Sequence, residues 1–266
     1  MIHLNQGGMK QDLDLQQDVM QEEFRPEVSV ILPVYNESRT LPGVLQGIFG
    51  LHPSMEVIVV ANGSTDGTRK LAEDMGATVL WYPEPLGHDV GRSVGASYAK
   101  GNVLLFIDGD IVIPSKELVP FIKAVFSGVD IALNKYKGLT HQHRVHDVVL
   151  AKHALSIVMS RQDLLGTSMT AIPHALSRRA VETLGTECLA VPPKALALAV
   201  LKGLRVEPVH YVRVGANNPR RRREHGPDPL TGLIVGDHLE ALHEWIKYTD
   251  MRGGFTDHMR QRHLVR

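Results

Sequence analysis

The chain has 266 residues, of which 43% are hydrophobic, with 29 Lys and Arg balanced by 29 Asp and Glu. That length supports a substantial core, and the zero formal charge excludes a global field that would gather nucleic acid or an anionic membrane. The single Cys188 excludes an internal disulfide and a cysteine-built zinc site; with no apolar run of the roughly 18 residues a bilayer span needs and no signal-peptide core, a cytoplasmic protein is expected.

Residues 1–27 are polar, Gln-rich and acidic, and read as an arm outside the core. Val28–Val34 (VSVILPV) is the first expected strand. Tyr35-Asn36-Glu37-Ser38 then turns into a helix whose Leu41, Val44, Leu45 and Ile48 follow the i, i+3, i+4, i+7 spacing of one buried face. Met55–Ala61 is the second strand, and Asn62-Gly63-Ser64-Thr65-Asp66-Gly67-Thr68 supplies turn and N-cap residues for a helix through Leu71. Thr78–Tyr82 is a third strand, Pro83–Asp89 a loop, Val90–Tyr98 a helix and Val103–Ile107 a fourth strand.

The second half is less regular. Helices are expected over Lys116–Phe126, His146–Met159, Ser177–Gly185, Pro193–Leu201 and Ile234–Tyr248, and strands over Val129–Leu133, Ser168–Leu176 and Leu204–Val214. Alternating strands and helices argue for an α/β fold, a mostly parallel sheet with helices on both faces. With no internal repeat or long linker, the second half should complete the sheet of the first. Ligands of such sheets bind at the carboxyl ends of the strands. Asn36, Asn62 and Asp108 all follow strand ends and should converge on one rim.

Val103–Pro114 (VLLFIDGDIVIP) carries the clearest chemistry. A short β-branched run bounded by turn formers fits a strand buried on both faces. The carboxylates that end it, Asp108 and Asp110, cannot stay in a core unpaired. With Gly109 between them, they set two hard oxygen ligands on one tight turn, which suits Mg2+ or Mn2+ carrying a diphosphate. The plainer alternative is a solvated Asp-Gly-Asp turn.

VSVILPVYNES, VIVVANGSTDGT and GNVLLFIDGD together resemble the signature segments of GT-A fold nucleotide-sugar glycosyltransferases of the family 2 type. The stretch Gly87–Ile111 also resembles the retaining glucosyl-phosphoglycerate synthases. The resemblance implies a Rossmann-like GT-A domain, with a nucleotide-sugar-binding half over 28–135 and an acceptor-binding half, final helix and tail over 136–266. It implies that Pro33, Tyr35 and Glu37 border the nucleotide, that Gly87 and Arg92 approach the diphosphate, that Asp108 contacts ribose or metal-bound water, and that Asp110 ligates the metal. Ser64 and Gly109 complete the implied donor set. Asn62 stands where many relatives have an acid; its amide can donate to and accept from a pyrimidine edge, and a turn residue is the plainer reading. UDP is the nucleotide the likeness implies.

The pattern breaks where inverting relatives keep a catalytic acid. Pro192-Pro193 occupy that place, and proline starts a helix well but takes no proton. Glu187 is the nearest acid, either a substitute base or an ordinary loop residue. The gap fits an already ionised acceptor such as a phosphate, a retaining enzyme that uses the leaving phosphate as base, or a chain that binds a nucleotide sugar without transfer. For a third metal ligand, His225 is preferred over His210, because a strand histidine is more often a satisfied core residue. The run Arg220–Arg223 is either a loop closing over phosphate or a solvated basic segment, and it is too short and free of aromatics for nucleic acid. A sugar nucleotidyltransferase would want a Gly-rich, Arg-containing loop after the first strand, where Tyr35-Asn36-Glu37 stand. The acceptor is left open among a small molecule, a phosphorylated one and a lipid. A lipid would require peripheral attachment through the arm or the last amphipathic helix. A homodimer is also left open.

Overall fold

A computed structural model of the chain describes residues 25–214 and 228–265. Most of the expected N-terminal arm, Arg220–Arg223 and His225 lie outside the described residues. Seven strands form one sheet: β1 (Val28–Val34), β2 (Met55–Asn62), β3 (Thr78–Tyr82), β4 (Val103–Phe106), β5 (Ile131–Asn134), β6 (His174–Ser177) and β7 (Val206–His210). Their order is β3-β2-β1-β4-β6-β5-β7. Neighbours run parallel, except that β6 is antiparallel to both β4 and β5. The second half therefore extends the sheet begun by the first.

The helices are α1 (Leu41–Ile48), α2 (Thr68–Asp74), α3 (Val90–Tyr98), α4 (Ser115–Phe126), α5 (Asp147–Val158), α6 (Arg178–Leu184), α7 (Pro192–Leu201) and α8 (Pro229–Tyr248). The period of two along a strand sorts them into two layers. Val28, Val30, Leu32 and Val34 of β1 pack into a core with α1, α2 and α4. Ile31 points the other way, into a core with α3, α5, α6, α7 and α8. Both faces of the sheet are thus covered, which is why its central strands read as unbroken apolar runs. Among the described residues no helix is long and apolar enough to cross a membrane.

Helix α3 sits unusually close to the sheet because two of its inward residues lack a side chain. A Cβ on Gly95 would overlap Ile31 Cγ2, and one on Gly91 would meet Pro33 Cβ at 2.9 Å. This close seat brings the next residue, Arg92, under the end of β4.

Three expected boundaries move. The strand expected over Ser168–Leu176 is paired only at His174–Ser177. The preceding residues turn, with Ala171 N–H donating to the Ser168 carbonyl (3.1 Å) and Thr170 N–H to Ser168 Oγ (3.3 Å); the serine hydroxyl offers the backbone a local partner in place of a ladder. β7 stops at His210 because Val212 N–H bonds the Asn134 side chain (3.0 Å) instead of a strand. The last helix starts at Pro229, earlier than expected, capped by the Asp228 carboxylate, which accepts from Leu230 N–H (3.1 Å). Proline in the first turn is favourable because its missing N–H would be unpaired there anyway.

The opposite edge of the sheet is tied by Asp130. It is 2% exposed and accepts hydrogen bonds from Ser177 Oγ (3.0 Å), Arg179 Nε (2.9 Å) and Arg205 N–H (2.8 Å). One carboxylate thereby joins β6 and the strand that flanks it on the far side of β5.

Candidate donor-binding site

The carboxyl ends of β1, β2 and β4 surround a cavity of about 430 Å³. Pro33, Tyr35, Glu37, Asn62, Gly87, Arg92, Asp108, Gly109 and Asp110 all line it. Every predicted donor-site residue except Ser64 therefore meets at one place. Ser64 instead accepts a hydrogen bond from Asn36 N–H (3.1 Å).

Two crossed sets of bonds hold this rim. Asn36 adopts φ 55° and its Oδ1 accepts from Thr65 N–H (2.8 Å). Glu37 N–H donates to Thr68 Oγ1 (2.9 Å), and Ser38 N–H donates to Asp66 Oδ2 (3.0 Å). The loops after β1 and β2 are thus laced together before any ligand arrives. Asn36 is spent on that lacing and does not line the cavity, contrary to the expected convergence. Asn62 is 8% exposed, and its amide is engaged at both ends. Nδ2 donates to Val34 O (3.1 Å), and Oδ1 accepts from Leu86 N–H (3.2 Å). What Asn62 retains for a ligand is the second lone pair of Oδ1, less than the two-way reading expected of it.

Arg92, expected to approach the diphosphate, lines the cavity and is tied to two carboxylates. The side chain is buried, and its guanidinium donates to Asp108 Oδ1 (3.0 Å) and to Asp89. Burial works against its charge, yet Asp108 and Asp89 hold its pKa above the ordinary arginine value. Nη1 and Nη2 each meet a carboxylate and so orient Asp108, while Nε is buried without a hydrogen-bond partner.

Asp108 and Asp110 stand on the rim with Gly109 pressed against β1, where a Cβ would overlap Val34 Cγ1. Two hard carboxylates fit Mg2+ or Mn2+ when diphosphate and water oxygens fill the other positions. Among the described residues no group of three or more His, Cys, Asp and Glu is placed to hold a metal. His210 bonds Glu117 Oε2 (2.7 Å) and meets Phe121 edge-on at 6.2 Å, as a structural histidine does.

Glu187 is not brought to the cavity. It lies in a 310 turn, Thr186–Ala190, with its carboxylate folded back over Gly185. Gly185, at φ 81°, ends α6 and turns the chain so that Leu189 is the residue driven inward. The substitute-base expectation is corrected accordingly. Pro192 and Pro193 form the buried first turn of α7.

Four groups near the site escaped the motif reading. His88, Asp89 and Leu230 line the cavity. Asp237 of α8 has its carboxyl pushed up to about 6 by burial, Asp89 and Glu240, with His88 pulling the other way. The one available signal was position: Asp237 falls on the repeating inward stripe of the last helix. Behind Arg92, His174 stacks on Phe106 at 5.0 Å, and burial together with the Arg92 charge pushes its pKa down to about 3.

Residues 29–150 match the model of glycosyl transferase family 2. Over 152 residues the chain is 28% identical to 4,4'-diaponeurosporenoate glycosyltransferase of Staphylococcus haemolyticus, covering 55% of this chain and 39% of that one. Over 106 residues it is 33% identical to glucosyl-3-phosphoglycerate synthase of Mycobacterium tuberculosis, covering 36% and 32%. The chain thus spans well under half the length of these curated relatives. A crystal structure of the same M. tuberculosis synthase, with Mn2+, UDP and phosphoglyceric acid, superposes with a TM-score of 0.60 at 20% identity, over 87% of this chain and 80% of that one. The shared architecture is the GT-A fold anticipated from the glycosyltransferase family 2 motifs.

Proposed function

We propose that the chain transfers a sugar from a nucleoside diphosphate sugar, UDP-linked, to an acceptor hydroxyl with the help of Mn2+ or Mg2+. The observation that carries this reading is the meeting of Asp108, Gly109 and Asp110 with Tyr35, Glu37 and Asn62 around one cavity at the strand ends. Tyr35 is half exposed and offers a ring face to a base. Support for UDP and Mn2+ comes from the similar synthase, whose crystals hold both. Support for a phosphorylated acceptor comes from the phosphoglyceric acid and glycerol 3-phosphate bound in crystals of that synthase.

Asp110 and Asp108 would hold the divalent ion, which when bound neutralises the charge that builds on a departing diphosphate. Arg92 holds Asp108 aimed at the rim. Gly109 lets the carboxylate turn lie against β1. In the reaction the acceptor oxygen bonds to the anomeric carbon, the bond from that carbon to the diphosphate oxygen breaks with its electron pair leaving on the nucleotide, and the acceptor's hydroxyl proton passes to the departing diphosphate.

Isothermal titration with a panel of nucleoside diphosphates and nucleotide sugars, with and without Mn2+, tests this on wild type and Asp110→Ala. The expected result is metal-dependent binding of one nucleotide, weakened at least about tenfold in the variant. Absence of binding across the panel would sink the reading and leave Asp-Gly-Asp as a structural turn. A second reading, a nucleotide-sugar binder without turnover, is favoured by the buried Pro192-Pro193 and by Glu187 lying outside the cavity. Release of free sugar or glycosylated product by the wild type separates the two.

A further inference from the structure

A second cavity, of about 590 Å³, opens at the edge of the sheet and shares no lining residue with the donor cavity. Its size is that of small-molecule sites, about 300–1,000 Å³. One wall is formed by Lys135 and Lys137, which follow β5, and by Glu207 and Pro208 of the edge strand β7. The other is the turn after α5, with Asp163, Leu164, Leu165 and Thr167. Both walls are fixed. Lys135 N–H donates to His210 O (2.8 Å), His153 Nε2 bonds Lys137 O (3.3 Å), and Arg161 Nη2 donates to Val206 O (2.8 Å), which ties the turn to the edge strand.

The charges of the cavity do not cancel. Asp163 is held by Nε and Nη2 of Arg161 (2.8 and 2.7 Å), and Glu207 by Arg205 Nε (2.7 Å). Among the described residues neither ammonium of Lys135 and Lys137 has an ion-pair or hydrogen-bond partner. Two positive charges are left over. Thr167 is 3% exposed, and its Oγ1 is buried without a hydrogen-bond partner. A buried hydroxyl left unpaired is costly and rare in native proteins. Leu164, Leu165 and Pro208 make the rest of the lining apolar.

We propose that this cavity binds a small organic phosphate. The two ammoniums and the Thr167 hydroxyl donate to its phosphate oxygens, and its apolar body lies against Leu164, Leu165 and Pro208. Three donors match the three terminal oxygens of a phosphomonoester, where a carboxylate has two. A metal ion would meet both ammoniums, and among the described residues no group of three or more His, Cys, Asp and Glu is placed to hold one. An added β-strand finds little to pair with, because Pro208 has no N–H and Val206 O is already taken by Arg161. The site is independent of the donor-site reading.

The test is titration calorimetry without divalent metal, with phenyl phosphate, inorganic phosphate and benzyl alcohol as probes. The proteins are wild type, the double variant Lys135→Gln/Lys137→Gln, Thr167→Val and Lys116→Gln. Wild type should bind one phenyl phosphate per chain, more tightly than inorganic phosphate, and no benzyl alcohol. The double variant should weaken phenyl phosphate about tenfold or more and Thr167→Val about threefold or more, as loss of charged and neutral donors does. Lys116→Gln removes an exposed charge from α4, outside the cavity, and should stay within about twofold. If Thr167→Val lowers the folded fraction, the double variant carries the comparison, since both its lysines are exposed. No binding of phenyl phosphate, binding that the double variant leaves intact, an equal loss in Lys116→Gln, or equal affinity for inorganic phosphate would overturn the proposal. Displacement of phenyl phosphate by UDP with Mn2+ would overturn it too, by placing the probe in the donor cavity.

Discussion

Arg92 Nη2 donates to Asp108 Oδ1 at 3.0 Å, so the first carboxylate of the Asp-Gly-Asp turn is oriented by a buried cation from α3. The same guanidinium holds Asp89. Replacing Arg92 by Met keeps much of the volume and strands two carboxylates. Removing one partner of a buried ion pair costs about 3–5 kcal/mol, and a clear drop in melting temperature is expected. Arg92→Lys keeps the charge but loses the fork, so it should fold better than the Met variant yet still bind a nucleotide with Mn2+ more weakly. Calorimetry and titration on both variants check the pair of outcomes; a Met variant as stable as wild type would contradict the geometry.

The seat of α3 depends on Gly95 facing Ile31. Gly95→Val inserts a branched side chain where even one carbon overlaps. Overpacking of this kind costs about 1–3 kcal/mol, and the displaced helix carries Arg92 away from Asp108. Chemical denaturation should show reduced stability, and nucleotide binding should fall with it. Gly50 is the contrasting position, because a Cβ there meets nothing within 4 Å; its φ of 91° makes any cost of Gly50→Ala a backbone one, with binding unaffected.

Asp130 gives a pH dependence of known sign. Burial pushes its carboxyl up, but the Arg205 N–H, Arg179 and Ser177 together outweigh that and hold it below the ordinary aspartate value of 3.8. A group whose folded pKa is depressed contributes stability that is present above its unfolded pKa and lost as pH falls through the folded value. Wild type should therefore lose stability between about pH 5 and the folded pKa more steeply than Asp130→Asn. Denaturant midpoints across that range measure the difference, and parallel curves would refute the assignment.

Much of the fold could be read before the structure. The strand Val28–Val34 falls where its apolar run places it, because a run buried on both faces admits few alternatives. The face of α1 follows from its 3.6-residue spacing, and Leu41, Val44, Leu45 and Ile48 are all buried. Boundaries drifted where side chains compete with the ladder, as Asn134 does at the end of β7 and Ser168 before β6. In the site, the residues that directly follow strands were legible, since strand ends of a parallel sheet share one rim.

By itself, then, the sequence determined the alternation of strands and helices, the rim on which Tyr35, Asn62, Asp108 and Asp110 gather, and the likeness to glycosyltransferase family 2. All of these are local patterns repeated along the chain. Only the tertiary structure decided what the polar groups on that rim do. It tied Arg92 to Asp89 and Asp108, spent Asn36 and Ser64 on each other's loops, and turned Glu187 away. The physical reason is that a buried charge or amide must find its partner wherever packing supplies one. Packing joins segments remote in sequence, and no local spacing records the pairing.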